Sequence, residues 1–249
     1  MSKNSNYSYI GIALTVLVFG IIFVPKIVDR ITSDDITREE SRSVSVSNED
    51  RTIRTSDLAF LEINGEAKKV PSFSFANQDG RIITNEDYLG KVYVIEFFFT
   101  TCPTICPRMS SNLVEIQNTF PDNRNFGVAS FTINPAHDTS QVLKAYAEKY
   151  KMTNPNWHLM TGDQEAIYKL ANQGFNLYTA EEETAEGGFE HSGNFALVDK
   201  NGFIRSRIVN GNPVIYYNGM ISEEEGIDDD GQEQQITMLK QDINKLLNE

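Results

Sequence analysis

One junction restricts the possible folds of this chain more than any other feature. Val92-Tyr-Val-Ile-Glu-Phe-Phe-Phe99 is almost uninterrupted apolar sequence, and it runs directly into Thr100-Thr101-Cys102-Pro103-Thr104-Ile105-Cys106-Pro107. The apolar run reads as a central strand covered on both faces. Beyond the cysteines, Met109, Leu113, Ile116 and Phe120 recur at helical spacing. Proline is tolerated in a first helical turn, where its missing N–H costs nothing. Both prolines are therefore expected at the start of this helix. The strand thus delivers two thiols to a helix N-terminus, where free N–H groups and the helix dipole stabilise thiolate.

The other periodicities alternate strand and helix. Phe73-Ser-Phe75, Asp79-Gly80 and Arg81 to Thr84 predict a small hairpin. Phe126 to Ile133 is the next strand. Leu143, Tyr146 and Tyr150 mark a second helix, with Asp138 or Thr139 as its N-cap. His158 to Met160 is a short strand, and Ile167, Leu170 and Ala171 mark a third helix ended by Gly174. Phe195 to Val198 and Phe203 to Val209 flank Asn201-Gly202, a strong hairpin turn. Ile236, Leu239, Ile243 and Leu246 line a final amphipathic helix. This order predicts an α/β fold, a mixed central sheet flanked by helices, and it resembles the thioredoxin-like arrangement.

The chain has only two cysteines, four positions apart. A disulfide closing so short a loop gains little chain entropy, so a structural staple is a poor explanation. A redox pair or a metal pair remains. Residues four apart on a helix have Cβ atoms ~5–6 Å apart, whereas a disulfide wants roughly 3.5–4.5 Å. With Cys102 in the loop before the helix, a small adjustment closes that gap. The reduced pair also suits Cu(I), with zinc as the competitor. A third ligand must come from three histidines. His191 stands just before the strand from Phe195, in a loop that faces the active helix terminus of such a fold, and is the best candidate. His137, after Asn134-Pro135, is a lesser one. His158, beside Trp157, reads as structural.

Glu96 interrupts the apolar strand six positions before Cys102. Thioredoxins carry a buried acid at a similar offset. A buried carboxylate has a raised pKa and could accept a thiol proton. The alternative is a carboxylate at a wetter edge of the sheet.

The N-terminal part obeys different rules. Ile10 to Val24 is almost wholly apolar, and with Tyr7, Tyr9 and Ile27-Val28 at its margins it reaches the ~20 residues that cross a bilayer. No small-residue cleavage site follows, which favours an uncleaved anchor over a signal peptide. The expected layout is a tail over 1–8, a transmembrane anchor over 9–28, a flexible polar linker over 29–57 and a folded domain over 58–249. Lys3 precedes the span, whereas Lys26 and Arg30 follow it. That count alone would keep the domain cytoplasmic, but long C-terminal domains translocate largely regardless of charge. No Arg- and Ser-rich transit segment precedes the span, so a bacterial cytoplasmic membrane, with the domain in the periplasm, is favoured over a mitochondrion.

The net charge of −13 argues against nucleic acid as a partner. Much of it sits in two runs, Glu181 to Glu190 and Glu223 to Asp230, which read as solvated loops.

Together, Phe98-Phe99-Thr100-Thr101-Cys102-Pro103-x-x-Cys106-Pro107, Ile133-Asn134-Pro135-x-x-Asp138-Thr139 and Glu190-His191-Ser192 resemble the Sco/SenC copper proteins over roughly Val70 to Asn210. Asp199-Lys200-Asn201-Gly202 and Trp157…Thr161-Gly162 fit as well. The resemblance implies a thioredoxin fold, copper on Cys102, Cys106 and His191, and a role in building the dinuclear copper centre of cytochrome c oxidase. Its implied partner is the copper-receiving subunit. The sequence departs from the family pattern at Thr104 and Asn134, where Asp is usual, and at Glu190, which replaces the usual Asp before the histidine. Two functions stay open at this point. One is a membrane-anchored copper metallochaperone. The other is a membrane-tethered thiol–disulfide oxidoreductase, with Cys102 as attacking thiol and a thiol-redox partner protein, which has no need of His191. Nothing specific favours a third reading, a redox or copper sensor. No second acid–base constellation supports a hydrolase or a peroxidase.

Overall fold

In the computed structural model the described residues are Leu17, Phe19 and residues 58–249 except 64, 122, 182–187, 210 and 211. Leu17 and Phe19 are helical and exposed. The rest of the expected anchor and the polar linker lie outside the described residues. No helix among the described residues is long and apolar enough to cross a membrane. Thr55–Glu249 forms a unit of its own.

That unit opens with three short strands, β1 (Leu58–Phe60), β2 (Glu62–Ile63) and β3 (Glu66–Ala67). The expected hairpin follows, β4 (Ser74–Asn77) against β5 (Ile82–Thr84), with Gly80 at φ 73° in its turn. Then come β6 (Val92–Phe98), α1 (Ile105–Thr119), β7 (Phe126–Thr132), α2 (Ser140–Tyr150), β8 (Trp157–Thr161) and α3 (Gln164–Lys169). The last part holds β9 (Thr179–Glu181), β10 (Phe189–His191), β11 (Asn194–Val198), β12 (Ile204–Val209), β13 (Asn212–Pro213), β14 (Tyr217–Asn218) and α4 (Ile236–Asn248).

The main sheet runs β1-β12-β11-β6-β7-β8-β4-β5. β6, β7 and β8 are parallel, and β4 and β11 join them antiparallel. Every residue of β6 and β7 is buried, as the apolar run requires of strands covered on both faces. Alternate side chains serve the two faces. Phe97 stacks on Phe131 and meets Phe175 on one side, while Phe98 packs on Tyr146 of α2 on the other. This is the mixed α/β arrangement expected, with the cysteines at the C-terminal tip of a central strand.

Several local expectations change. α1 begins at Ile105, so Pro107 lies in its first turn and Pro103 precedes the N-cap, Thr104. The residue before a proline is biased away from helical backbone, which keeps Cys102 out of the helix. Thr139, not Asp138, caps α2, because its hydroxyl accepts from Val142 N–H. The third helix does not stop at Gly174. It widens into a π-helical turn, Leu170–Phe175, closed by Asn176 at φ 52°. Gly174 serves close packing instead, since a Cβ there would lie 3.0 Å from Pro71. The second acidic run is not simply solvated. Glu225 pairs with Arg108 of α1, and Lys240 of α4 joins Glu223 to Glu115. Of the first run, Glu182, Glu183 and Glu186 lie outside the described residues.

Candidate metal centre

β6 ends at Phe98, and Cys102 N–H turns back to Phe99 O at 3.3 Å. The turn brings Cys102 over the first residues of α1. Its sulfur accepts the Cys106 N–H at 3.4 Å, and the Cys106 sulfur accepts the Phe99 N–H at 3.5 Å. The free N–H groups of the helix start are thus spent partly on sulfur, as the junction in the sequence predicts.

His191 reaches the same place from the segment just before β11, the antiparallel neighbour of β6. β10 pairs with β9 as a short arm, with His191 opposite Thr179. His191 Nδ1 lies 3.2 Å from Ser192 O, a pure acceptor, so Nδ1 carries the proton. The Nε2 lone pair therefore faces the Cys106 sulfur, 3.2 Å away. Phe99 packs edge-on against the His191 ring. The sulfurs of Cys102 and Cys106 and a His191 ring nitrogen all lie within 4.8 Å of one another. Cys106 is fully buried, and Cys102 and His191 are 7% and 8% exposed.

The two thiols differ in acidity. The Cys106 thiol donating to it holds Cys102 well below the ordinary thiol range, against the effect of burial, and the backbone N–H groups of Cys106 and Thr104 assist. Burial pushes Cys106 up, and the neighbouring Cys102 thiolate adds to this. Two sulfurs and one imidazole nitrogen with its lone pair turned inward form a soft donor set, suited to Cu(I) or zinc.

The remaining candidates fall elsewhere. His137 does not join the cluster. Its Nδ1 lies 2.8 Å from Asp138 Oδ1, and its side chain is half exposed. Asp138 is fully buried and ties strand ends together. It accepts from Thr100 N–H and Thr132 Oγ1 at one oxygen, and from the Thr100 hydroxyl and His137 at the other. It therefore fixes the exit of β6, two residues before Cys102. His158 lies 3.2 Å from the Asn77 side chain within the β4–β8 region, a structural position as expected. Glu96 is not at a wet edge. It is 1% exposed, and burial raises its pKa to about 7, against a lowering hydrogen bond from Ser130. Ser130 donates to Oε1 at 2.6 Å, Trp157 donates to Ser130, and Oε2 has no partner. Thr104 places its hydroxyl 4.0 Å from the Cys102 sulfur. Sequence reasoning did not single out Asn112 or the segment at Gly219, which link the two halves of the cluster.

Comparisons with known proteins place the chain among similar sequences and folds. A family model described as SCO1/SenC matches residues 62–218. The SCO1 protein homolog of Bacillus subtilis is 32% identical over 136 residues, 54% of this chain and 70% of that protein. A protein of Stutzerimonas stutzeri named for copper binding is 28% identical over 155 residues, 61% of this chain and 74% of that protein. Among solved structures, a SCO1/SenC family lipoprotein of Bacillus anthracis superposes with a TM-score of 0.58 at 27% identity, covering 72% of this chain and 95% of that one.

Proposed function

This chain belongs to the SCO1/SenC family, and we propose that it is a membrane-anchored copper metallochaperone. In this reading it holds copper on Cys102, Cys106 and His191 and passes it by ligand exchange to the copper-receiving subunit of cytochrome c oxidase. The observation that carries it is the inward-facing His191 Nε2 within 4.8 Å of both sulfurs. A plain thiol exchanger has no use for that lone pair. Support also comes from the S. stutzeri relative named for copper binding.

The proposed layout keeps a tail over 1–8, an anchor over 9–28 and a linker over 29–57, with the domain from 58 onward in the periplasm of a bacterial cell. Attachment to the membrane suits a donor whose acceptor is itself a membrane complex. It is also in keeping with the lipoprotein relative.

The test is an anaerobic Cu(I) titration of the fully reduced chain against a competing chelator, with His191→Ala in parallel. One-to-one binding that weakens markedly in the variant is the expected result. Binding indifferent to His191 would demote copper. A second reading, thiol–disulfide oxidoreductase, is favoured by the unequal acidity of the two thiols. Cys102, low in pKa and the less buried, has the character of an attacking thiol, and buried Cys106 that of a resolving one.

A further inference from the structure

The two halves of the cluster come from segments 85 residues apart, so something must set their separation. A third segment spans the gap. Asn112 lies on α1 six residues beyond Cys106 and is 3% exposed. Its Nδ2 donates to Gly219 O at 2.8 Å. The Gly219 N–H in turn donates to Gly193 O at 2.8 Å. Gly193 follows His191-Ser192 directly, so a single residue, Gly219, connects the cysteine helix to the histidine loop through the C=O and the N–H of its two flanking peptide groups.

The packing leaves this bridge no slack. A Cβ on Gly193 would lie 2.3 Å from Met220, and one on Gly219 would lie 2.5 Å from Phe195. β14, just before Gly219, pairs with β11 at Asn194 and Phe195. The bridge is also pinned from outside. The Tyr217 hydroxyl donates to Asp242, and Asn218 N–H donates to Gln235 Oε1. An apolar side chain would fill the volume of Asn112 on a buried helix face. The amide is needed only because a buried carbonyl there must be held. Gly219 lies just past the residues that the family model matches, 62–218.

We propose that Asn112 is a positioning residue of the metal centre: acting through the Gly219 backbone, it sets the separation between the Cys102–Cys106 turn and His191. This rests on the three-ligand reading given above. Asn112 touches no ligand atom, so its effect passes entirely through the histidine arm.

The test compares the parent, Asn112→Ala, His191→Ala and the double variant, each as the full reduced chain titrated with Cu(I) against a competing chelator. Amide hydrogen exchange at Gly219 is followed in the metal-free proteins. Asn112→Ala is expected to weaken Cu(I) binding about 10-fold or more, as outer-shell changes do, and to open the Gly219 N–H to exchange. In the His191→Ala background it should change affinity by less than about twofold, because the arm it positions is gone. Equal loss in both backgrounds would mean that α1 is merely loosened and would overturn the proposal. So would parent-like affinity in Asn112→Ala. Should that variant fail to fold, Gly193→Ala, which drives a methyl into Met220, must give the same loss. Adding Met220→Ala must then restore binding, and failure to restore it overturns the proposal. If copper binding by the parent proves indifferent to His191, the three-ligand reading falls and exchange alone judges the bridge. A Gly219 N–H that stays protected in Asn112→Ala then refutes it, and one that opens supports it.

Discussion

Where α4 meets β12, Asp242 is fully buried and every charge has its opposite: Arg207 grips the carboxylate through Nε and Nη2, and the Tyr217 hydroxyl donates to it as well. At the tip of β6 the buried polar atoms are arranged otherwise. The Cys102 sulfur and the His191 Nε2 lone pair both face Cys106, whose thiol carries the one proton among them, and among the described residues no Lys or Arg hydrogen-bonds to the three. The first region is complete as it stands. The second holds a surplus of donor electrons that only a proton or a cation relieves. A structural ion pair and a binding site can be equally buried, and what separates them is whether the protein supplies the counter-charge itself.

The comparison can be broken or sharpened by four measurements, ordered by their effect on the stability of the metal-free chain. Asp242→Ala takes the acceptor from the buried Tyr217 hydroxyl and the counter-charge from the partly exposed Arg207 guanidinium, and together these should cost about 3–5 kcal/mol in urea unfolding. Through the Tyr217 hydroxyl Asp242 also pins the Gly219 bridge, so a loss of Cu(I) affinity of about threefold, smaller than that of Asn112→Ala, is expected. A loss as large as that of His191→Ala would show that the contrast between the two regions does not hold.

Glu96 stands between the two cases, a buried acid with one donor and a bare second oxygen. Burial raises its pKa from 4.5 to about 7, so the folded chain keeps a proton that the unfolded chain has released. Its contribution is present below about pH 4.5 and is lost as pH rises toward 7, with a total of about 3 kcal/mol. In Glu96→Gln the fall in stability between pH 4 and pH 8 should shrink by that amount. Equal slopes in parent and variant would refute the assignment. An unchanged disulfide-exchange rate in the same variant would separately remove Glu96 from thiol proton transfer.

Asp138→Ala strips acceptors from Thr100 and Thr132 and should cost about 2 kcal/mol. Because Thr100 sits two residues before Cys102, alkylation of Cys102 should change rate, and an unchanged rate would confine Asp138 to structure. His191→Ala should matter least without metal, within about 1 kcal/mol. Cu(I) at about 1,000 times its Kd should stabilise the parent by ~4 kcal/mol, and the variant by clearly less. Equal stabilisation would dissolve the contrast between the two regions.

The architecture was legible wherever apolar period carried it. The run from Val92 to Phe98 became a central strand, and the spacing of Met109, Leu113 and Ile116 became the buried face of α1. His191 could be singled out because it precedes a strand whose place in such a fold is fixed. What escaped were polar contacts across long sequence separations. Asn112 to Gly219 and Asp138 to Thr100 leave no periodic trace, since each is one residue meeting another over 107 and 38 positions. Asp138 was noticed as part of a family segment and as a possible cap, a local role that Thr139 takes instead, but not as the acceptor that ties Thr100 to Thr132. The π-helical turn at Leu170–Phe175 was missed because glycine is the usual helix terminator and here Asn176 adopts the left-handed backbone.

The place of β11, inserted between β6 and β12, has a consequence for the order in which the molecule is made. During synthesis both thiols emerge long before His191, and the strand that anchors the imidazole is translated later still. Until β11 docks, the cysteines form an unsealed pair, exposed to oxidants and to stray metals. Closing the sheet therefore does more than finish a shape: the central strand that arrives after the thiols also brings His191 to them, so completion of the fold and assembly of the three-residue cluster are a single event.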